Sequence, residues 1–357
     1  MLKNFRLLFI FVLVLSAFSF VFAQDELPPL DSDTEPDRIE WSQLEAEFGP
    51  VPTFDHQVRV GAVAKTLINE YWRLLGEGYT IAGERFGVDV MLQAAQNEAD
   101  QLGQLTIAEA MLTLGFDTLL VSPQSDANLV PAVDHAAELG IPVINVNDAV
   151  IPTAQHYVGN VQRDNGVRVA RWFIENYPDG GKVAVIEGQA GVYAAGQRTE
   201  GFTTTITTES SAFEVVASVP ANWDRQLAYD TAATILQQHP DLVGFYCNND
   251  TMALGVVEAV KAAGMLEQVA VIGTDGISDA YASILAGELR GTVDSFPVLT
   301  GEVALEVALR LLGGQDLPRV VSTPQALITL DNYARYYGEG ADTRAALIED
   351  AELAAAE

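Results

Sequence analysis

Strongly hydrogen-bonding side chains follow short apolar runs at five places in the chain. They are Lys65 with Asn69, Asn147 with Asp148, Asn249 with Asp250, Asp275, and Asp294 with Ser295. Such apolar runs are typical of buried strands in a parallel sheet, and open α/β sheets bind their ligands at the carboxyl ends of the strands. We therefore expect these side chains to face a cleft. Amides, carboxylates and an ammonium group at such an edge suit a small molecule that carries many hydroxyls.

Two aromatic residues accompany the first of these groups. The stretch from Val58 to Trp72, VRVGAVAKTLINEYW, predicts a buried strand that ends at Lys65 and a polar turn that opens a helix. Tyr71 and Trp72 offer flat apolar faces with a polar edge, which fits the same kind of ligand. The alternative is that both rings begin the core face of the helix.

Further candidates lie between the predicted strands of the second half. Arg198 comes early in a predicted helix, after the glycine-bearing loop EGQAG, and its planar donor group suits bidentate contacts. Trp223 stands in a polar turn before Asp224 and Arg225, where a purely structural core role is not expected. The alternatives are that Arg198 is an ordinary helix charge, that Asp224 pairs with Arg225, and that Asp250 caps a helix.

Predicted strands and helices alternate from Val58 onward. A helix, a glycine and a short apolar strand recur in that order, with the glycines at 87, 115 and 140. This alternation predicts an α/β fold with mostly parallel sheets whose faces are covered by helices. A similar set of elements begins near Asp164, so the sequence predicts two lobes with a cleft between them.

The boundaries of the two lobes follow from this pattern. The segment Gly291–Leu330 contains two strand-like runs around a helix, which predicts that the chain returns to the first lobe and then crosses again. We expect residues 57–161 and 296–325 in the first lobe, and residues 162–295 and 326–338 in the second. Residues 339–357 are expected to form an acidic tail with a loose or surface helix.

The amino-terminal residues predict export. Residues 1–23 combine a basic start, an apolar run and a small residue before Gln24, as in a cleaved signal peptide, and an uncleaved anchor is the alternative. No cysteine lies near the cleavage point, so a lipid anchor is not expected, and the single Cys247 excludes an internal disulfide. Residues 24–56 are acidic and contain prolines, which predicts a linker. Asp31, Asp33 and Glu35 have part of the spacing of a calcium loop, but Pro36 stands where the loop needs glycine and Ser42 where it needs glutamate.

Composition and motifs exclude several other classes. The formal net charge of −30 argues against nucleic acid, because phosphate binding requires a basic surface. The nucleophile elbow, the phosphate-binding loop and the dinucleotide fingerprint are all absent from the sequence. The four histidines are scattered without metal-ligand spacing. We therefore expect neither an enzyme nor a bound cofactor or metal.

Seven motifs then give the chain a specific resemblance. They are VGAVAKTLINEYW, LLVSP with the downstream IPVINVN, EGQAGVYAAGQRTEGF, ANWDR, YCNNDTMALG, VIGTDG and ITLDN. In this order, over Val58 to about Tyr336, they resemble the sugar-type substrate-binding proteins of bacterial ABC importers, the group typified by the ribose-binding protein. The resemblance implies the periplasmic binding protein type I fold, with two Rossmann-like lobes joined by a three-strand hinge.

The resemblance also implies roles by position. The implied ligand-binding residues are Asn69, Tyr71 and Trp72 in the first lobe, Arg198, Trp223, Asn249 and Asp275 in the second, and Ser295 beside the hinge. The chain departs from the ribose-binding protein at Asn147 and Asp148, which stand where that protein has Asp-Arg. It also departs at Lys65, which replaces a small hydroxyl residue. Lys65 could anchor an acidic sugar or neutralise Asp148.

The function implied by the resemblance is capture of a monosaccharide or related polyol by closure of the cleft. The expected partners are that small molecule and an ABC permease in the membrane, and the expected form is a monomer in the periplasm or another extracytoplasmic space. A receptor module that feeds a chemotaxis or quorum sensor would use the same cleft. An enzyme on a similar scaffold and a sugar-responsive repressor are further alternatives, although a repressor would need a DNA-binding helix pair in place of the export signal.

Overall fold

The computed structural model describes residues 27–355. Its strands are β1 Arg38–Glu40, β2 Arg59–Ala64, β3 Asp89–Ala94, β4 Thr118–Val121, β5 Val143–Val146, β6 His156–Gly159, β7 Gly181–Glu187, β8 Phe213–Pro220, β9 Leu242–Cys247, β10 Ala270–Asp275, β11 Gly291–Asp294, β12 Val320–Ser322 and β13 Ala326–Thr329. Its helices are α1 Leu44–Phe48, α2 Glu70–Phe86, α3 Gln101–Leu112, α4 Val130–Leu139, α5 Gln162–Asn176, α6 Tyr193–Glu209, α7 Arg225–Gln238, α8 Asp250–Ala262, α9 Ser278–Leu285, α10 Pro297–Leu312, α11 Tyr333–Tyr337 and α12 Thr343–Ala355.

The strands form two sheets. The first has the order β1-β12-β6-β5-β4-β2-β3 and is parallel throughout. The second has the order β13-β11-β10-β9-β7-β8 and is parallel except for the pairing of β11 with β13. Central strands such as β4 and β10 are buried along their whole length, because helices cover both faces. The predicted α/β fold with two parallel-sheet lobes is confirmed.

Local sequence signals set where the helices begin and end. The side chain of Asn69 caps α2 by accepting from the backbone N–H of Tyr71, and Gly87 ends the same helix in the left-handed conformation. Asp224 caps α7 in the same way, through the N–H of Leu227. These caps hold the strand-to-helix turns in fixed positions at the carboxyl edges of the sheets, where the polar candidates lie.

The chain passes between the two sheets three times. It leaves the first sheet after β6 for α5 and β7, returns after β11 through α10 to β12, and crosses again from β12 to β13. Three short crossings form a hinge about which the lobes can rotate. The crossing after β11 contains Phe296, a non-glycine residue in the left-handed region at φ 46°.

The acidic segment before the first lobe corrects one expectation. We predicted a linker over residues 24–56, but the described part of it contains β1, which pairs with β12 at the edge of the first sheet. Trp41 and Leu44 are also buried. The reason is that the short apolar stretch around Trp41 finds a partner in distant parts of the chain, which composition alone does not reveal. The predicted signal peptide lies outside the described residues.

The carboxyl-terminal tail also contributes to the packing. It forms the helix α12, in which Leu347 is buried, and the guanidinium of Arg344 lies 5.0 Å from the ring centroid of Trp41. Tyr336 donates a hydrogen bond to Asp350 at 2.6 Å. The expected surface helix is therefore tied to the amino-terminal segment and to the second lobe's last residues.

A buried carboxylate sits at the second crossing. The Asp294 carboxylate accepts hydrogen bonds from the hydroxyls of Tyr281 and Tyr337 and from the backbone N–H of Phe296. Burial raises the pKa of Asp294 to about 7, although these hydrogen bonds oppose the shift. Since its pKa in the folded chain lies above its ordinary value, the folded state binds a proton that the unfolded state has already lost.

This shift predicts how stability depends on pH. Stability from Asp294 is fully present below its ordinary pKa and is lost as the pH rises through about 7, so the wild type should melt at a lower temperature at pH 8 than at pH 5. Asp294→Asn should remove roughly 2 kcal/mol of that pH-dependent difference. Calorimetric melting of both proteins between pH 5 and pH 8 measures it. Parallel curves for the two proteins would contradict the assignment.

Candidate functional site

Side chains from both lobes surround one enclosed space between the sheets. Its lining consists of Asn69, Tyr71, Trp72, Glu98, Asp148, Arg198, Trp223, Asn249 and Asp275. Eight of these nine residues are sequence-predicted candidates. They meet because each follows the carboxyl end of a strand, and those ends of the two sheets face each other across the cleft.

Two tryptophans, one from each lobe, define the apolar walls. Trp72 and Trp223 are both buried, and the ring of Tyr71 packs edge-to-face on Trp72 with centroids 4.8 Å apart. The Lys65 ammonium lies 5.4 Å from the ring centroid of Trp72 and 5.5 Å from that of Trp223. Both distances fall within cation–π range, so one first-lobe cation contacts an aromatic ring of each lobe.

The position of Trp223 requires two successive non-glycine residues in the left-handed backbone conformation. Asn222 and Trp223 have φ values of 53° and 65°, a region that costs non-glycine residues about 1–3 kcal/mol each. The ring lies against Gly188, where a Cβ atom would stand 1.9 Å from the ring atom Cη2. Within the described residues, the indole Nε1 of Trp223 is buried without a hydrogen-bond partner. The turn thus holds an aromatic face and an unused donor at the space.

Positive φ values recur around the same space. Among the described non-glycine residues they occur at Asn147, Asp148, Asn222, Trp223, Asp275 and Phe296. Three of the six line the space, and the others are adjacent to a lining residue or to the hinge. Backbone strain of this kind persists only where surrounding structure enforces it, and it concentrates at functional sites.

A chain of alternating charges crosses from one lobe to the other. The Lys65 ammonium donates to the Asp148 carboxylate within the first lobe. From the second lobe, the Arg198 guanidinium lies 3.5 Å from an oxygen of Asp148 and 3.8 Å from an oxygen of Asp275. All four side chains are almost wholly buried. Buried charges are tolerated only when they are paired, so these contacts favour the closed arrangement of the lobes.

Neighbouring groups fix the orientation of Arg198. Its Nε donates to Gln162 at 2.9 Å, and its Nη1 donates to the backbone carbonyl of Asn248 at 2.7 Å. The Asn248 side chain in turn accepts from the backbone N–H of Gly188 at 3.0 Å. The guanidinium is therefore positioned before any ligand arrives, which reduces the entropy cost of binding.

The carboxylates of the site differ in their pKa values. Burial raises the pKa of Asp148, but the nearby charges of Lys65 and Arg198 outweigh burial and lower it below its ordinary value. Burial raises the pKa of Asp275 well above its ordinary value, with Arg198 opposing. Burial also raises the pKa of Glu98, with Lys65 opposing. Asp148 therefore stays ionised as a hydrogen-bond acceptor, whereas burial favours the protonated forms of Asp275 and Glu98.

Glu98 is the lining residue that sequence reasoning missed. One carboxylate oxygen accepts from the indole Nε1 of Trp72 at 3.0 Å and from the amide of Asn69 at 3.4 Å. It lies in the loop after β3, so the signal that identified the other candidates, a polar residue after a strand, was present here too. Glu98 stands four residues beyond the end of β3, after Gln96 and Asn97, and residue type alone does not tell which of these polar side chains enters the cleft.

Three predicted residues do not line the space. The Lys65 ammonium reaches the site through Asp148 and the tryptophan rings. The Asn147 side chain is occupied by Tyr71, to which it donates, and by Gln162, from which it accepts at 3.2 Å. Ser295 lies at the second crossing, where its hydroxyl is buried and its backbone N–H donates to the Asp275 carbonyl at 3.3 Å. Asn147 therefore supports the site, and Ser295 belongs to the hinge.

The structure also decides the alternatives for three acidic or basic residues. Asn249, and not Asp250, caps α8, and the Asp250 carboxylate instead accepts from the backbone N–H groups of Gly276 and Ile277. Asp224 caps α7 as described, and Arg225 pairs with Glu258 at 2.6 Å. The proposed pairing of Asp224 with Arg225 and the proposed cap at Asp250 are both wrong.

The enclosed space is small in the closed arrangement. Its volume is about 10 Å³, and it borders a mouth of about 670 Å³ that shares Asn69, Glu98 and Trp223 with it. A volume of 10 Å³ holds about one water molecule, so a larger ligand requires the lobes to separate or the Lys65 side chain to move. Within residues 27–355, no group of three or more His, Cys, Asp or Glu side chains is arranged to hold a metal ion.

Comparison with known proteins agrees with this geometry. The model of the periplasmic binding protein domain family matches residues 60–316. The chain belongs to the periplasmic binding protein family. Its sugar-binding relatives include the D-allose-binding periplasmic protein of Escherichia coli K12, which is 35% identical over 254 residues, covering 69% of this chain and 81% of the relative.

Two further sugar-binding proteins are similar to the chain. The D-ribose/D-allose-binding protein of Pseudomonas aeruginosa is 30% identical over 286 residues, covering 76% of this chain and 88% of the relative. A periplasmic solute-binding protein of an ABC transporter from Actinobacillus succinogenes, solved with bound D-allose, is 28% identical. It superposes with a TM-score of 0.75 and covers 78% of this chain and all of the solved chain.

These comparisons confirm the resemblance to ribose-binding-type sugar-binding proteins and the type I fold. Because the family consists of substrate-binding transport proteins, they also agree with a binding function in place of an enzymatic one. Residues 27–59 and 317–355 lie outside the matched family domain.

The contact between Gly188 and Trp223 gives a direct test of the site. Gly188→Ala would place a methyl group against the indole, so Trp223 must shift and its wall of the site is lost. We expect at least tenfold weaker binding of a sugar ligand and a lower melting temperature, because overpacking a buried ring costs roughly 1–3 kcal/mol. Gly196→Ala is the matched control, since a Cβ at Gly196 meets no atom within 4 Å. Equal ligand affinities of both variants in calorimetric titrations would contradict the role of Trp223.

Proposed function

We propose that the protein captures a neutral monosaccharide in the cleft and delivers it to the membrane permease of an ABC importer. The observation that carries this proposal is the convergence of nine side chains from both lobes on one space. Tryptophan faces suit the C–H faces of a sugar ring, and the carboxylates, amides and guanidinium suit its hydroxyls. The solved relative from Actinobacillus succinogenes is named as a solute-binding protein of an ABC transporter, which supports import over a purely sensory role.

The charges of the site favour a neutral ligand over an acidic one. Lys65, which could have anchored a sugar acid, is paired with Asp148, and Arg198 already has four acceptors around it. Glu98 and Asp275 add carboxyl groups to the lining. A ligand carboxylate would meet these groups without a free cation, whereas hydroxyls can both donate to and accept from them. The relatives that bind D-allose support an aldose of this kind.

Closure of the lobes would couple capture to delivery. Asp148 belongs to the first lobe and Arg198 to the second, so a sugar hydroxyl bound by both would be held only in the closed form. A ligand with contacts available only in one state shifts the population toward that state. The closed form then presents a surface that the permease can distinguish. Since one chain supplies all the lining residues, we propose that the monomer is the working form.

Localisation follows from the same set of observations. The Escherichia coli relative and the solved Actinobacillus succinogenes protein are both named as periplasmic. Residues 1–23 have the pattern expected of a cleaved signal peptide, and no cysteine lies near the expected cleavage point. Among the described residues, no helix is sufficiently long and apolar for a membrane span. On the names of these relatives and the pattern of residues 1–23, we propose that the chain is exported and acts in the periplasm.

Calorimetric titration with D-allose, D-ribose and D-glucuronate tests the proposal. We expect binding of at least one of the neutral sugars and no measurable binding of the anionic one. Asp275→Asn should weaken binding about two- to tenfold, because it removes the hydroxyl donor of the protonated carboxyl group, and one neutral hydrogen bond contributes roughly 0.5–1.5 kcal/mol.

Asp279→Asn is the control for this titration, since it makes the same chemical change at an exposed residue of α9 near the mouth. The proposal is wrong if D-glucuronate binds more tightly than both neutral sugars. It is also wrong if the variants at Asp275 and Asp279 bind equally.

A further inference from the structure

The residues before the family domain run along both lobes. We call residues 30–40 the amino-terminal strap. The matched family domain begins only at residue 60, so the strap is an addition to the part of the chain that is shared with the family. Its acidic residues were expected to be a linker, but they make specific contacts with distant parts of the chain.

The strap is anchored firmly to the first lobe. Its residues Arg38–Glu40 form β1, which pairs with β12. Arg319, just before β12, donates from its backbone to Asp37 at 3.0 Å and from its side chain to Glu35 at 2.9 Å. Leu30 is buried in the hydrophobic cluster of the first lobe, and its N–H donates to the carbonyl of Pro152 at 2.9 Å. The strap therefore moves with the first lobe.

The strap also binds the beginning of α5, which belongs to the second lobe. The Asp33 carboxylate accepts from the backbone N–H groups of Gln162 at 3.0 Å and Arg163 at 2.7 Å. Val161, the residue at the N-cap position of α5, provides no side-chain cap. Asp33 thus supplies the missing cap from a remote segment, and its negative charge also matches the positive end of the helix dipole.

A second contact reaches Tyr193, the first residue of α6. The Tyr193 hydroxyl donates to the Asp31 carboxylate at 2.5 Å and accepts from the backbone N–H of Asp33 at 3.2 Å. The ring packs against the first-lobe cluster that contains Leu30. The backbone N–H of Tyr193 also donates to Asp126 of the first lobe at 3.1 Å. A second-lobe side chain is therefore seated in the first lobe, beneath the strap.

The two contacts respond differently to opening of the cleft. Gln162 and Arg163 directly follow the first hinge crossing, so rotation of the lobes displaces them little. Tyr193 lies on the helix that carries Arg198, and the next residue, Ala194, donates from its backbone to the carbonyl of Asp148 at 3.2 Å. Separation of the lobes must therefore withdraw Tyr193 from Asp31.

We propose that the amino-terminal strap and Tyr193 form a latch that stabilises the closed arrangement of the lobes. The latch lies outside the ligand-lining residues, so it acts on the equilibrium between open and closed forms and not on the sugar contacts. If the closed form is already more populated in the free protein, less of the ligand's binding energy is used for closure. The apparent affinity then rises in proportion to the closed fraction of the free protein. This goes beyond the proposed function, because the latch is expected to act in the ligand-free protein.

The test uses the full chain without ligand. Leu102→Cys on α3 and Gln226→Cys on α7 place spin labels on opposite lobes beside the mouth of the cleft, and Cys247 is buried and inaccessible to the label. Double electron–electron resonance then measures the distribution of distances between the two spin labels. Tyr193→Phe removes the latch hydroxyl and keeps the ring. The double variant Asp31→Asn with Asp33→Asn removes the two carboxylates of the strap.

We expect both changes to raise the ratio of open to closed molecules at least threefold over the labelled parent. Tyr229→Phe is the matched control, because this hydroxyl of α7 makes no hydrogen bond within residues 27–355, and its distances should equal those of the parent. Unchanged distances in Tyr193→Phe and in the double variant would overturn the latch.

Titration with D-allose separates this inference from the proposed function. If the parent binds D-allose, the affinity of Tyr193→Phe should fall by the same factor as its closed fraction, which the label distances give. If the parent binds neither D-allose nor D-ribose, the proposed function fails while the distance measurement still decides the latch. Weaker D-allose binding without any change in label distances would also contradict the latch, because the effect would then not arise from opening.

Discussion

The alternation of buried charges across the cleft is the interaction on which the closed structure depends. Lys65, Asp148 and Arg198 are each nearly inaccessible to solvent, and the transfer of any one of these charges from water costs several kcal/mol unless a partner is in reach. Asp148 has one partner in its own lobe and a second in the opposite lobe. The two lobes must therefore meet in one relative position for these charges to be paired. When the lobes separate, the same charged groups can form hydrogen bonds with the hydroxyl groups of a ligand.

The rest of the fold holds the two lobes in that relative position. Parallel strands bring polar turns to one edge of each sheet, helix caps such as those at Asn69 and Asn249 hold the turns, and three crossings keep the two edges opposed. The strained turn at Trp223 is compatible with this picture, because its cost is offset by packing against Gly188 and the neighbouring core. Binding specificity thus resides in turns, while the sheets provide rigidity.

Much of the site could be predicted from the sequence, since one physical rule located it. Polar residues that follow buried parallel strands must lie at the cleft, and this rule identified Asp148, Asn249 and Asp275. It missed Glu98 because three polar residues, Gln96 to Glu98, follow β3, and residue type does not tell which of them faces the cleft. It wrongly placed Ser295 in the lining because the chain turns into the hinge directly after β11.

Long-range contacts were the part that no local pattern could give. Asp33 is an acidic residue in a proline-bearing stretch, and only the fold reveals that it caps a helix that begins 129 residues later. The choice between the two roles of Lys65 likewise depended on the distance to Asp148 and not on residue type. Composition predicts how a segment behaves in isolation, whereas Asp33 and Lys65 are held by residues from distant parts of the chain.

A crystal structure of the protein grown with D-allose most directly tests whether both lobes clasp one ligand. We predict a sugar ring between the faces of Trp72 and Trp223, with hydroxyls bonded to Asp148 of the first lobe and to Arg198 or Asp275 of the second. A sugar bound to residues of one lobe only, or at a location remote from both tryptophans, would contradict it.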